Sequence, residues 1–165
     1  MKKATVIHIQ WEGPFTLTEI SKLDDLVRDY GVYQVYGHHP TYGPSSLLYI
    51  GQANQQTFYK RLSQENWQFE ERDCQFFVGR LSDTNQPSND LWGKRIDLAE
   101  RLLIYAHEPA RNSKGLYSIP AEKLYNVHIL NWGNFSSLLP EVSGLRYTNK
   151  FEDLPNYKVF EFKRE

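Results

Sequence analysis

The sequence is short of sulfur. It has one cysteine, Cys74, and one methionine in 165 residues, which excludes an internal disulfide and a cysteine-rich zinc site. A lone thiol suits a reducing compartment, so a cytoplasmic protein is expected. Long apolar runs are missing too: no stretch reaches the roughly 20 apolar residues that a membrane-crossing helix needs. The opening MKKATVIHIQWEGPF is broken by His8, Gln10 and Glu12 before an apolar signal core could form. Neither membrane insertion nor secretion is therefore expected. Charge of one sign is lacking as well, since 19 Lys and Arg face 20 Asp and Glu, a net charge of −1. A chain that held nucleic acid by overall charge would be strongly basic, so any phosphate-binding surface has to be local. No internal repeat, low-complexity tract or Pro/Ser-rich linker divides the chain, and one domain over residues 1–165 is expected.

What is abundant is aromatic: eleven Tyr, nine Phe and four Trp. Tyrosine packs well in sheets while keeping a hydrogen-bonding tip, which predicts a strand-containing fold. VIHIQW alternates apolar and polar residues as a half-buried strand does. Thr16-Leu17-Thr18-Glu19 fits a capping box opening a short helix to about Leu26. GVYQVY and SLLYI read as paired antiparallel strands, and GHHPTYGPS between them, with Pro40, Gly43 and Pro44, predicts a long loop. Phe58 and Leu62, four apart in TFYKRLSQENW, predict a short amphipathic helix, and CQFFVGRL a third strand. Trp92, Ile96, Ala99, Leu103 and Ala106 recur at helical spacing and predict the main helix, which Pro109 ends. LYNVHILNW and YKVFEF predict further strands, with SLLPEVSG as a loop between them.

Three features of this pattern can carry chemistry. Glu100 falls at the margin of the apolar stripe of the main helix, where a carboxylate needs a partner: a basic neighbour, solvent, or a metal ion. Arg61 lies beside Phe58 and Leu62; it either lays its stem over the surface or offers a planar fork to two phosphate oxygens. Tyr33 and Tyr49 stand on facing strands next to Gly31 and Gly51. They form an aromatic cross-strand pair or a working pair of phenols, and each glycine would let a backbone or a phosphate approach closely.

In this order the elements resemble the GIY-YIG nuclease superfamily, over roughly residues 30–115, with residues 1–29 and 116–165 as flanking extensions. Gly31-Val32-Tyr33 is similar to the first signature and Tyr49-Ile50-Gly51 to the second. Arg61, within Lys60-Arg61-Leu62, resembles the catalytic arginine. Glu100, in a helix followed by Pro109 and Asn112, resembles the metal-binding glutamate. The resemblance implies an α+β domain with a central three-stranded antiparallel sheet flanked by helices, here extended by N- and C-terminal strands. It also implies a metal-dependent endonuclease that hydrolyses DNA phosphodiester bonds with one Mg²⁺ or Mn²⁺. Tyr33, Tyr49, Arg61 and Glu100 would be catalytic, with Tyr33 as base, Tyr49 as its orienting partner and Glu100 as the metal ligand. Gly31, Gly51, Lys60 and Asn112 would bind substrate or support the site, Asn112 by fixing Glu100 or the backbone around it.

One residue departs from the pattern. Glu65 stands one turn after Arg61, where many members carry His or Tyr, and a carboxylate there is expected to pair with Arg61; His38, His39 or Tyr59 are the candidates to replace the missing hydrogen bond. Glu70, Glu71 and Asp73 are the acids available to a second metal, although acids so close in sequence read better as a solvated face. The alternative function is therefore a catalytically inactive module of the same fold that binds nucleic acid or a protein partner. Neither flank carries a zinc-finger or helix-turn-helix signature, so the protein's own loops, self-association or a protein partner would supply any choice of DNA site.

Overall fold

Alternation along the first strand, β1 (Thr5–Phe15), turns Ile7, Ile9 and Trp11 to one face, where all three are buried. In the computed structural model, which describes residues 4–65, 74–84, 88–116 and 124–147, this strand lies inside the sheet. It pairs antiparallel with β4 (Gln75–Ser82) on one side and parallel with β5 (Val127–Gly133) on the other. β2 (Gly31–His39) pairs antiparallel with both β3 (Gly43–Ala53) and β4, and β6 (Glu141–Ser143) pairs with β5. The result is one six-stranded mixed sheet, ordered β3-β2-β4-β1-β5-β6.

The α+β class therefore holds, but the expected three-stranded sheet does not stand alone. β3, β2 and β4 are antiparallel neighbours whose ladder continues without interruption into β1, because β4 bonds on both of its edges. SLLPEVSG is likewise not all loop: Glu141–Ser143 forms β6, too short to show an alternating pattern. YKVFEF lies outside the described residues.

Helices cover the two faces unequally. α2 (Asn89–His107) lays Ile96, Ala99, Leu102 and Leu103 against Ile9, Trp11, Val32, Ile50 and Ile129. The Ser88 hydroxyl accepts from the Leu91 amide at its start. At its end Glu108 turns left-handed (φ 46) and Pro109 prevents continuation. The opposite face, over β2, β3 and β4, carries α1 (Phe58–Ser63), whose Phe58 and Leu62 pack on Tyr33, Val35, Phe76 and Val78. Six residues make no stable helix alone; burying these two side chains completely contributes about 1.5–3 kcal/mol each. Thr57 caps α1, accepting from the Lys60 amide at 3.2 Å while its hydroxyl donates to Asp24.

Two local expectations need correcting. The Thr16–Glu19 capping box forms, with the Thr16 amide donating to Glu19 at 2.8 Å and the Glu19 amide to the Thr16 hydroxyl at 3.4 Å. It opens only a 3-10 turn, Glu19–Lys22, rather than a helix to Leu26. Beyond it, Asp29 captures the Asp25 amide and Asp25 the Val27 amide, side-chain bonds that compete with helical ones. GHHPTYGPS is not a long loop, because Gly37 still pairs with Ser46 and His39 with Gly43. Only Pro40, Thr41 and Tyr42 turn, with His39 Nδ1 accepting from the amides of Thr41 and Tyr42.

Candidate active site

The two signature tyrosines meet because of register. Tyr33 lies opposite Gly51 and Val35 opposite Tyr49, so the rings are diagonal neighbours on the face that α1 covers. They stack with centroids 6.1 Å apart and planes 26° from parallel. Gly51 is required by this stacking: a Cβ there would sit 2.5 Å from the Tyr33 hydroxyl and 2.7 Å from the Tyr49 ring. At Gly31 (φ +146) a Cβ would sit 2.2 Å from the Gly79 carbonyl oxygen of β4. Neither glycine keeps room for a phosphate; one admits two rings and the other a neighbouring strand.

The tyrosines differ in what surrounds them. Tyr33 is fully buried, and its hydroxyl finds no hydrogen-bond partner among the described residues. Burial drives its pKa well above that of a free phenol, against the opposing charge of Arg61. Tyr49 is half-buried; burial and then the Glu100 charge raise its pKa, while Arg61 lowers it by charge and by a hydrogen bond to the phenol. The order expected from sequence, Tyr33 as base and Tyr49 as helper, does not suit these surroundings, because the Tyr33 oxygen is closed to water.

Arg61 projects from α1 and also donates to Glu65 at 2.6 Å, the i,i+4 pair expected from sequence. Lys60 is exposed. Glu100 reaches the site from α2, on the other side of the edge strand β3. Its Oε2 accepts from Gln52 Nε2 at 2.7 Å, and burial raises its pKa, offset in part by that hydrogen bond. Glu100 and Tyr49 line one cavity of about 570 Å³ together with Arg101, Asn112, Ser113 and Lys114. Tyr33 and Arg61 are not part of its wall; they stand behind Tyr49.

Asn112, expected to fix Glu100 or the backbone around it, forms no hydrogen bond with Glu100 among the described residues and bonds the backbone of the facing strand instead. Its side chain bonds both backbone groups of Ile50, accepting from the amide at 3.0 Å and donating to the carbonyl at 2.9 Å. With the amides of Ala110 and Arg111 donating to Leu47 and Leu48, it fastens the chain leaving α2 to the outer edge of β3. The C-terminal end of α2 is thereby tied to the strand that carries Tyr49. His39 is used in the hairpin turn, and Glu70, Glu71 and Asp73 lie outside the described residues.

Gln52 escaped the sequence reading because no motif includes it. The signal that finds it is alternation: residue 52 shares the face of Ile50, the face on which α2 and Glu100 lie. A Mg²⁺ or Mn²⁺ site fits this donor set. Among the described residues Glu100 has a neutral hydrogen-bond donor and no ion pair, and it faces a cavity. No three His, Cys, Asp or Glu side chains converge among those residues; the cavity offers a hard cation Glu100 and, on the same wall, Asp97, which is paired with Arg101 at 3.2 Å, so water and phosphate oxygens would complete the shell. Compared with protein-family models, curated proteins and solved structures, the chain matches none of them.

Proposed function

We propose that this protein is a metal-dependent endonuclease that hydrolyses DNA phosphodiester bonds in the one-metal manner implied by its resemblance to GIY-YIG nucleases. The observation that carries the reading is the meeting of three elements around one phenol. Arg61 of α1 favours the ionised Tyr49 phenol of β3 by its charge and a hydrogen bond, and Tyr49 shares its cavity with Glu100 of α2. A purely structural aromatic pair needs neither the arginine nor the carboxylate. No helix among the described residues is long and apolar enough to cross a membrane, and the half-buried single thiol Cys74 suits a cytoplasmic setting.

In this mechanism Glu100 holds the divalent ion. Held there, such an ion would supply positive charge for the scissile phosphate and for the 3′ oxygen that leaves as the P–O bond breaks, and would offset the carboxylate charge acting on Tyr49. Tyr49, the phenol that faces the cavity, orients the attacking water and takes its proton, its ionisation favoured by Arg61. Arg61, outside the cavity wall and paired with Glu65, acts from behind Tyr49, its charge favouring the phenolate and, at longer range, the charge growing on the phosphoryl oxygens. Tyr33 packs behind Tyr49 and fixes its ring.

The test is cleavage of supercoiled plasmid in Mg²⁺ or Mn²⁺. Glu100→Ala and Arg61→Ala should each lower the rate by roughly 100-fold or more. Tyr49→Phe should cost more activity than Tyr33→Phe. Failure of the wild type to cut any DNA form with any divalent ion would overturn the proposal. One observation favours a second reading, an inactive module that binds nucleic acid or a protein: Glu65 already occupies the Arg61 fork. Under that reading the protein binds nucleic acid or a protein partner and never cuts DNA.

A further inference from the structure

We propose that Gln52 is the positioning residue of the Glu100 cation site, an inference that rests on the metal role given to Glu100 above. The side chains come from adjacent elements, and Gln52 Nε2 donates to Glu100 Oε2 at 2.7 Å. This bond fixes one carboxylate oxygen and leaves the other for an ion in the cavity that Glu100 lines. The chemistry of the partner matters more than its presence. A carboxylate withdrawn from water in a purely structural setting is normally neutralised by an Arg or Lys ion pair; part-buried Glu100 has no such ion pair among the described residues, and the charges of Arg101 and Arg61 act on it only from a distance. An amide holds the carboxylate by a hydrogen bond yet cancels none of its charge, which is what a cation site needs from the residue behind the ligand.

A second observation points the same way. Gln52 Oε1 is buried and has no hydrogen-bond partner among the described residues. Leaving such an oxygen unpaired is costly, so Gln52 is a poor choice for packing alone; a leucine or methionine would fill the space without an orphaned atom. The donor on Nε2 accounts for the amide.

The experiment measures Mn²⁺ binding to the full chain by electron paramagnetic resonance, with thermal unfolding in parallel. Gln52→Met keeps the bulk and removes the donor, and should weaken Mn²⁺ binding by roughly 10- to 100-fold. Gln52→Lys places a cation against Glu100; it should abolish Mn²⁺ binding while unfolding at a temperature equal to or above that of the wild type. A merely structural role for Gln52 would leave Mn²⁺ binding unchanged in Gln52→Met; the lysine variant tests that the ion sits at Glu100. Gln52→Asn, which keeps the amide but withdraws it by one methylene, should fall between wild type and Gln52→Met, and carries the test if Gln52→Met does not fold. Wild-type affinity in Gln52→Met overturns the inference and leaves the metal role of Glu100 standing. Wild-type affinity in Gln52→Lys, or a wild type that binds no Mn²⁺, overturns both.

Discussion

Asn112 offers the sharpest test of how the site is held together, and the test does not depend on what the protein does. Replacing Asn112 with alanine removes two hydrogen bonds to the Ile50 backbone. Both residues are buried, Asn112 at 7% and Ile50 at 0% relative exposure, so the freed amide and carbonyl gain little water in exchange. At about 1–3 kcal/mol for each unpaired buried group, and allowing some local relaxation, Asn112→Ala should lose about 2–4 kcal/mol. In a chain of this length that lowers Tm by about 5–15 °C. Urea denaturation followed by tryptophan fluorescence measures the loss directly. Asn112→Asp sharpens the test. One carboxylate oxygen can still accept from the Ile50 amide, while the other faces the Ile50 carbonyl with no proton to offer. The native state then favours the protonated acid, so the folded pKa rises above the unfolded value of about 3.9. The penalty is full above that raised pKa and shrinks as the pH falls through it towards 4. A change below about 0.5 kcal/mol in Asn112→Ala, or an Asn112→Asp penalty independent of pH, would refute the claim that this side chain clamps the edge strand.

Two further outcomes follow from the same geometry. Glu65→Gln removes the carboxylate from Arg61, a partly exposed pair worth about 0.3–1 kcal/mol. DNA binding measured by fluorescence anisotropy should tighten about 2- to 5-fold and its salt slope steepen by about 1; weaker binding would mean that Glu65 itself serves the site. His107 is held neutral, its Nδ1 proton donated to the Leu103 carbonyl and its Nε2 accepting from the Leu139 amide, both at 2.9 Å. Burial lowers its pKa, against the Leu103 bond. The unfolded chain therefore binds a proton near pH 6.5 that the folded chain refuses. Stability should be level above about pH 7 and fall as pH drops from 6.5 through the lowered folded pKa, by up to about 1.4 kcal/mol per pH unit. His107→Gln should flatten that fall in denaturation curves taken between pH 5 and 8, and an unchanged slope would remove His107 as its cause.

What could be read from the sequence is what repeats over a few residues. Alternation along β1, the β-rich runs of β2 and β4, the Trp92-to-Ala106 stripe of α2 and the Phe58–Leu62 spacing of α1 are local patterns, and each formed the predicted element. The hairpin bringing Tyr33 to Gly51 was legible because its strands are close in sequence. Even there the turn residues overstated the loop, since ladder bonding carried the strands past Gly37 and Ser46. Arg61 and Glu65 were readable as a pair because one helical turn is also local.

Tertiary structure decided the rest. The first strand lies inside the sheet and runs parallel to a strand more than a hundred residues later, with Trp11 donating to Asn131 at 2.8 Å across that gap. A pattern of buried positions says which face a strand hides and leaves open which strand stands beside it. The partner of Asn112 is the backbone of Ile50, 62 residues away, and the partner of Glu100 is Gln52, 48 residues away. Gly31 and Gly51 were visible as positions of close approach, yet only packing determined that a carbonyl fills one space and two rings fill the other. The phenols look equivalent along the chain. Their difference arises from depth in the fold, because desolvation by α1 and its neighbours seals the Tyr33 oxygen while Tyr49, on the edge strand, keeps a wall of the cavity.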